Sequence, residues 1–248
     1  DYERGWRVYA EGWKHTQEAV RSAELVVLHD DDHYGQDRAL TLTRQHYATP
    51  FGILSNPAEL VDTLAESIGA ELAFRGELYH RSEHSIELAA VWLHHMRRGD
   101  SCEMLPILCG SFVPYWMGSA SIEDDTFLSN AIDTLREITS HKRTLIVAAA
   151  DLAHVGPVFG GDALNFQDHT KLKHEDDELI EAICKGVPDD FLKIIFENND
   201  CNNVCGVAPI YLAMKILAPT QGSLVAYEHC PADSNHHSTV SICSLLFH

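Results

Sequence analysis

Two apolar runs in this chain pass straight into acid and imidazole. Residues 25–29, LVVLH, continue into Asp30, Asp31, Asp32 and His33; residues 144–150, TLIVAAA, continue into Asp151, with His154 three residues later and Gly156 beyond. An unbroken apolar run of this length suits a strand covered on both faces, as in a parallel sheet with helices on each side.

The rest of the chain supplies the covering helices. Residues 7–22 carry apolar side chains at helical spacing and predict a helix before the strand at 25–29. TPFG at 49–52 is a turn, Asn56-Pro57 starts a helix through 58–70, and 83–99 predicts another that Gly99 closes. His94 and His95 fall near its end and read as a solvated pair favoured by the helix dipole. CEMLPILCG at 102–110 predicts a strand, the acidic residues 123–125 open a further helix, and 144–150 is a third core strand. Helices at 175–186 and 207–217 then precede strands at 223–228 and 238–247. This alternation predicts a single α/β domain over residues 1–248, three layers deep (α/β/α), around a mainly parallel mixed sheet that includes 25–29, 104–109 and 144–149.

Composition narrows the function classes. With 18 basic against 37 acidic residues the formal net charge is −19, so the surplus of Lys and Arg that a phosphate backbone requires is missing, and no nucleic-acid partner is expected. The apolar runs are far shorter than the roughly 20 residues needed to span a bilayer, and no secretory pattern opens the chain, so a cytoplasmic protein without a membrane association is expected. Seven cysteines, an odd count without a short framework, suit a reducing compartment and mostly buried, small apolar roles.

In open α/β sheets the ligand site lies beyond the carboxyl ends of the strands, and both Asp/His stretches fall there. A carboxylate beside an imidazole fixes its tautomer and raises its basicity, which serves metal ligation and proton transfer alike. A third stretch, NNVCG at 202–206, places Cys205 just before a helix, where a thiol pKa is depressed. The residues alone leave a second reading open: solvated loops with capping aspartates, and a cysteine packed under a helix. His236 and His237, before the last strand, lie in a loop that could also reach such a pocket.

HYG after the first strand, TPFG, EHSIEL at 83–88, DLAHVG at 151–156 and NNVCGVAPIYLAMKIL at 202–217 together resemble, in order and context, the Memo-like proteins. These are also called AmmeMemoRadiSam system protein B, and they are relatives of the class III (LigB-type) extradiol dioxygenases. The resemblance implies a LigB/Memo-like fold with a metal-type site. His33 matches the histidine of an NHxG-type segment, with Asp32 where Asn is usual, and Cys205 matches the cysteine that takes the place of the dioxygenases' carboxylate ligand; these two are the implied metal ligands. Asp151 and His154 match an SDxxH segment, Ala150 replacing the Ser, and imply an acid/base pair. Glu83 and His84 match the family's EHSIE, with His84 at the pocket wall as a third catalytic candidate.

A further family histidine lies in a PHxxY-type segment. The opening DYERGWRVYAEG looks like the continuation of that segment, so a histidine two residues before Asp1 is expected, with Glu3 as the substitute if there is none. Two imidazoles and a thiolate leave open positions on a divalent ion, iron being favoured and zinc or copper possible because sulfur is softer than the oxygen it replaces. The implied activity is a metal-dependent, dioxygenase-like oxidoreductase acting on a small aromatic or peptide-derived substrate, with AMMECR1-like and radical SAM proteins as partners by family association. The alternative is a non-catalytic module that reuses the cleft to bind a peptide or partner. The expectation that follows for the structure is that His33, His154 and Cys205 converge on one pocket.

Overall fold

A strand that runs into charge must either carry that charge to solvent or bury it with partners, and the fold shows which. The structure is a computed structural model and describes residues 2–33 and 40–248; Tyr34 and Gly35 of the HYG motif lie outside the described residues. In chain order the elements are α1 (Tyr2–His15), α2 (Gln17–Ser22), β1 (Leu25–Asp31), β2 (Leu40–Leu42), β3 (Tyr47–Thr49), β4 (Gly52–Leu54), α3 (Ala58–Ile68), α4 (Ala70–Phe74), α5 (His84–Met96), β5 (Glu103–Cys109), α6 (Val113–Trp116), α7 (Thr126–Ser140) and β6 (Thr144–Ala148). They continue with β7 (His154–Val155), α8 (Phe166–Lys185), α9 (Pro188–Glu197), α10 (Val207–Leu217), β8 (Gly222–Pro231) and β9 (Thr239–Phe247). The expected α/β class holds, and its central sheet is mixed and mainly parallel. The chain divides into two compact units, one of Thr16–Ala150 with Ala208–Leu217, the other of Asp1–His15, Asp151–Val207 and Ala218–His248.

The first, the sheet unit, is built on the order β2-β5-β1-β6, with β1 parallel to both β5 and β6 and β2 antiparallel to β5. The three strands expected to share a sheet do so. Being flanked on both edges and covered, β1 carries four consecutive residues, Leu25 to Leu28, that are at most 1% exposed, which is why its sequence does not alternate. At the edge of this sheet β6 is only half-buried throughout, so its continuous apolar character overstates its burial. α5 packs on β1 and on α2, and α3 packs on α7. Asp125 caps α7 by accepting from the Leu128 amide at 3.0 Å.

His94 departs from the solvated reading. Its ring is buried, with Nδ1 2.8 Å from the Thr49 hydroxyl of β3 and Nε2 donating to the Gly99 carbonyl at 3.0 Å; only His95 is exposed. A turn that must be tied to the β3–β4 ribbon outweighs the dipole's preference for a solvated cation.

The second, the hairpin unit, holds what sequence periodicity did not place. The C-terminal strands exist where expected, but β8 pairs with β9 antiparallel, and β7 with β9, in a sheet of their own. Alternation along β8 separates two faces: Ala226 and Cys230 pack with Val8 of α1, Val240 and Ile242, while the Tyr227 hydroxyl donates to Asp176 of α8 at 2.6 Å. α1 ends at His15, so the helix expected over 7–22 is two helices broken at Thr16 (φ −97°, ψ 9°), where one unit gives way to the other. All seven cysteines are free; Cys102, Cys109 and Cys230 are buried, fewer than expected, and Cys201 is exposed. Among the described residues no helix is long and apolar enough to cross a membrane.

One residue of β1 yields a pH prediction. His29 is fully buried and neither ring nitrogen has a hydrogen-bond partner among the described residues, so burial pushes its pKa down to about 4. The unfolded chain takes up a proton near the ordinary histidine value while the folded chain does not, so stability is full above that value and is lost as pH falls towards 4. A His29→Leu variant should therefore gain on the parent by about 3 kcal/mol between pH 7 and pH 4. Denaturant unfolding at both pH values checks this, and a pH-independent difference would refute it.

Candidate functional site

The acidic end of β1 is not a solvated turn. Asp30 and Asp32 are buried, and the strand pairing runs on through Asp31, opposite Cys109 of β5, to the Asp32 amide, which donates to the Cys109 carbonyl at 2.9 Å. Burial lifts the Asp30 carboxyl well above its ordinary range, with the nearby Glu83 charge adding to it. Burial likewise pushes Asp31 up to about 6. Asp30 Oδ1 accepts from the Asp31 amide at 2.8 Å, while Oδ2 has no hydrogen-bond partner among the described residues.

The cation facing this charge comes from His33 and the start of α5. Glu83, the N-cap of α5, is buried; its Oε2 lies 3.1 Å from His33 Nδ1 and its Oε1 3.1 Å from His84 Nδ1. Burial opposes the Glu83 charge, but the hydrogen bond and charge of His33, with His84 behind it, hold the carboxyl below its ordinary value. The same hydrogen bond raises His33 to about 9, so that ring is an imidazolium at neutral pH. A helix N-terminus adds its own partial positive charge for the carboxylate.

In the hairpin unit the sequence-predicted residues Asp151, His154 and Cys205 come together, with Asp151 as the hub. The Cys205 thiol donates to the Asp151 carbonyl at 3.4 Å, and the Gly206 amide donates to the same oxygen at 3.1 Å. His154 Nε2 stands 4.0 Å from Asp151 Oδ2, and His154 Nδ1 lies 3.2 Å from the Leu152 carbonyl. A carbonyl oxygen only accepts, so Nδ1 carries the proton and Nε2 is the basic nitrogen of the neutral ring. The ring also stands edge-on to Phe159, centroids 5.1 Å apart.

Local backbone explains why these residues meet. The loop before α10 turns through left-handed residues Asn199, Asp200 and Asn203, and Asp200 Oδ1 accepts from the Val204 amide at 2.8 Å, delivering Cys205 to Asp151. Asn202 accepts the His154 amide at 2.8 Å through its carbonyl. Gly156 (φ 105°) could not be otherwise: a Cβ there would lie 2.5 Å from the His237 carbonyl oxygen.

Tyr9 of α1 escaped the sequence reading. Its hydroxyl donates to Asp151 Oδ1 at 3.2 Å, and burial, followed by the Asp151 charge, raises its pKa. The available signal was Gly5, one helical turn earlier, whose missing side chain makes room for the tyrosine ring: a Cβ would meet it at 2.2 Å. His236 and His237 are exposed.

The structure thus gathers His33 with Glu83 and His84 in one unit, and Asp151 with His154 and Cys205 in the other. Among the described residues no three His, Cys, Asp or Glu side chains form a group able to ligate a metal.

The family model described as Memo-like protein matches residues 1–246. A MEMO1 family protein of Methanosarcina barkeri is 26% identical over 219 residues, 87% of this chain and 72% of the relative. One from Methanosarcina acetivorans is 26% identical over 196 residues, covering 79% of this chain and 63% of the relative. A Thermus thermophilus MEMO1 family protein is 26% identical over 181 residues, 73% of this chain and 49% of the relative. With a match across nearly its whole length, the chain belongs to the Memo-like family.

Proposed function

We propose that this Memo-like chain is a metal-dependent oxidoreductase in which His154, backed by Asp151, moves a proton, and His33 and Cys205 serve as ligands of a divalent ion, iron before zinc or copper. The observation that supports it is the tautomer of His154: with Nδ1–H held by the Leu152 carbonyl, its Nε2 is left as a base beside the Asp151 carboxylate and the Cys205 loop. A histidine serving only to pack would not need a carboxylate that also holds a tyrosine hydroxyl and, through its carbonyl, a thiol.

When bound, such an ion would supply redox chemistry with oxygen. The described residues of either unit do not by themselves make a ligand group. What the chain's own residues do is narrower. His154 accepts or returns a proton at Nε2, Asp151 stabilises the imidazolium that results, and Tyr9 holds the carboxylate in place. A small aromatic hydroxyl or a peptide-derived group is the proposed proton donor, and AMMECR1-like and radical SAM proteins are proposed partners.

Metal analysis of protein purified without air should find one divalent ion per chain, and Cys205→Ser should lower its content at least about tenfold, a typical loss for a ligand-shell change. Unchanged metal in the variant would remove Cys205 from the ligand set, and a protein that never holds metal would favour the peptide-binding module. His154→Asn should leave the metal content unchanged while lowering oxygen uptake with catechol substrates by about 10²- to 10⁴-fold, the usual worth of a general base. Equal uptake in parent and variant would show that His154 moves no proton.

A further inference from the structure

We propose that Ser241 of β9 is a positioning residue for His154: it holds open a β-bulge just before the histidine and so frees the carbonyl that binds the ring at Nδ1. The Leu152 amide donates to the Ser241 carbonyl at 2.9 Å. In a regular antiparallel ladder Leu152 would also accept from the Ser241 amide, because facing residues exchange both bonds. That amide goes instead to the next carbonyl, of Ala153, at 3.0 Å. Two residues therefore face one, and regular pairing resumes with His154 opposite Val240. The amide that the bulge leaves over, that of Ala153, donates to the Ser241 hydroxyl at 2.9 Å. Left out of the ladder, the Leu152 carbonyl lies 3.2 Å from His154 Nδ1.

Bulk solvent cannot stand in for the hydroxyl, since Ser241 and Ala153 are fully buried and Leu152 is buried beside them. A second buried serine of the same loop and strand, Ser238, acts on the other side of the histidine. Its Oγ accepts the Val158 amide at 3.1 Å and lies against Gly156, where a Cβ would meet it at 2.8 Å. His154 is thus carried between two segments that serine hydroxyls tie down, and a bulge is a recurrent means of re-aiming a side chain beside an active site. Free imidazole prefers the proton on Nε2, so the Nδ1–H form is one that the protein imposes. The catalytic use of this clamp rests on the reading of His154 as a base given above; the control of its tautomer does not.

The test is ¹⁵N NMR of histidine-labelled protein, read on the alkaline side of the His154 titration, in the parent, Ser241→Ala and Ser241→Thr. The parent should show a pyrrole-type Nδ1 and a pyridine-type Nε2 on His154. In Ser241→Ala the bulge loses its side-chain acceptor, so the Nδ1 signal should shift towards the pyridine range and the Nε2 signal towards the pyrrole range, while Ser241→Thr, which keeps the hydroxyl, should give the parent pattern. Oxygen uptake with catechol substrates should fall by up to about 10²-fold in the alanine variant, the usual cost of a misplaced group. A pyrrole-type Nε2 in the parent overturns the proposal, as does a folded Ser241→Ala protein with the parent spectrum or a Ser241→Thr protein with the alanine one. Should the alanine variant fail to fold, hydrogen exchange in the parent decides: the Ala153 amide should exchange as slowly as the amides of β9, and exchange at the rate of an exposed amide overturns the clamp. If the tautomer shifts in Ser241→Ala but uptake is undiminished, the positioning role stands and the proposed general-base role of His154 falls.

Discussion

Withdrawing a carboxylate from water costs several kcal/mol unless donors and cations surround it, and the carboxyl edge of β1 withdraws more than one. Glu83 is compensated at every oxygen, by two imidazoles, two amides and a hydroxyl. Asp30, beside it, is compensated less: one oxygen lacks a hydrogen-bond partner among the described residues, and burial and Glu83 raise the carboxyl's affinity for a proton further than Ser85, the Asp31 amide and His33 lower it. A fold seeking stability alone would place an apolar residue at that position of a central strand. A poorly compensated carboxyl at the carboxyl edge of a parallel sheet, where open α/β folds bind their ligands, is what the proposed site calls for, with the surrounding core supplying the stability.

The hairpin unit solves a related problem by other means. Asp151 is held by Tyr9 at one carboxylate oxygen and faces His154 with the other, while its carbonyl takes a thiol and an amide from the Cys205 loop. One residue orients Tyr9, His154 and the Cys205–Gly206 turn, which come from three segments of the chain and so appear as separate short motifs. The left-handed turns at Asn199, Asp200 and Asn203 and the close approach at Gly156 are the backbone conditions for that meeting.

Much of this was legible in the sequence. β1 and β5 announced themselves as apolar runs because parallel strands are covered on both faces, β6 through a run that overstates its burial, and Glu83, Asp151, His154 and Cys205 stood out through motifs that resemble those of the Memo-like family. What was not legible depends on contacts between distant segments. Periodicity gives the strands β8 and β9 but not their partner, so their separate antiparallel sheet was missed. Tyr9 looked like one more apolar helix position, and its link to Asp151 spans 142 residues. His94 read as a solvated helix end because nothing local reveals that Thr49 and Gly99 lie against its ring. The aspartates of β1 could not be told from capping residues until their burial was known.

The claim that the acidic edge serves function rather than folding is tested most directly by the stability of Asp30→Asn. Asparagine keeps the shape and the acceptor for the Asp31 amide but has no charge to bury. A carboxyl whose folded pKa is raised costs stability as pH rises from its unfolded value through its folded one, so the benefit of removing it must grow with pH. Unfolding in denaturant should show the variant more stable than the parent by at least about 1 kcal/mol at pH 8, with a smaller gain at pH 5. A variant less stable than the parent at both pH values would mean that Asp30 holds the sheet together, and would contradict the assignment of this edge to function.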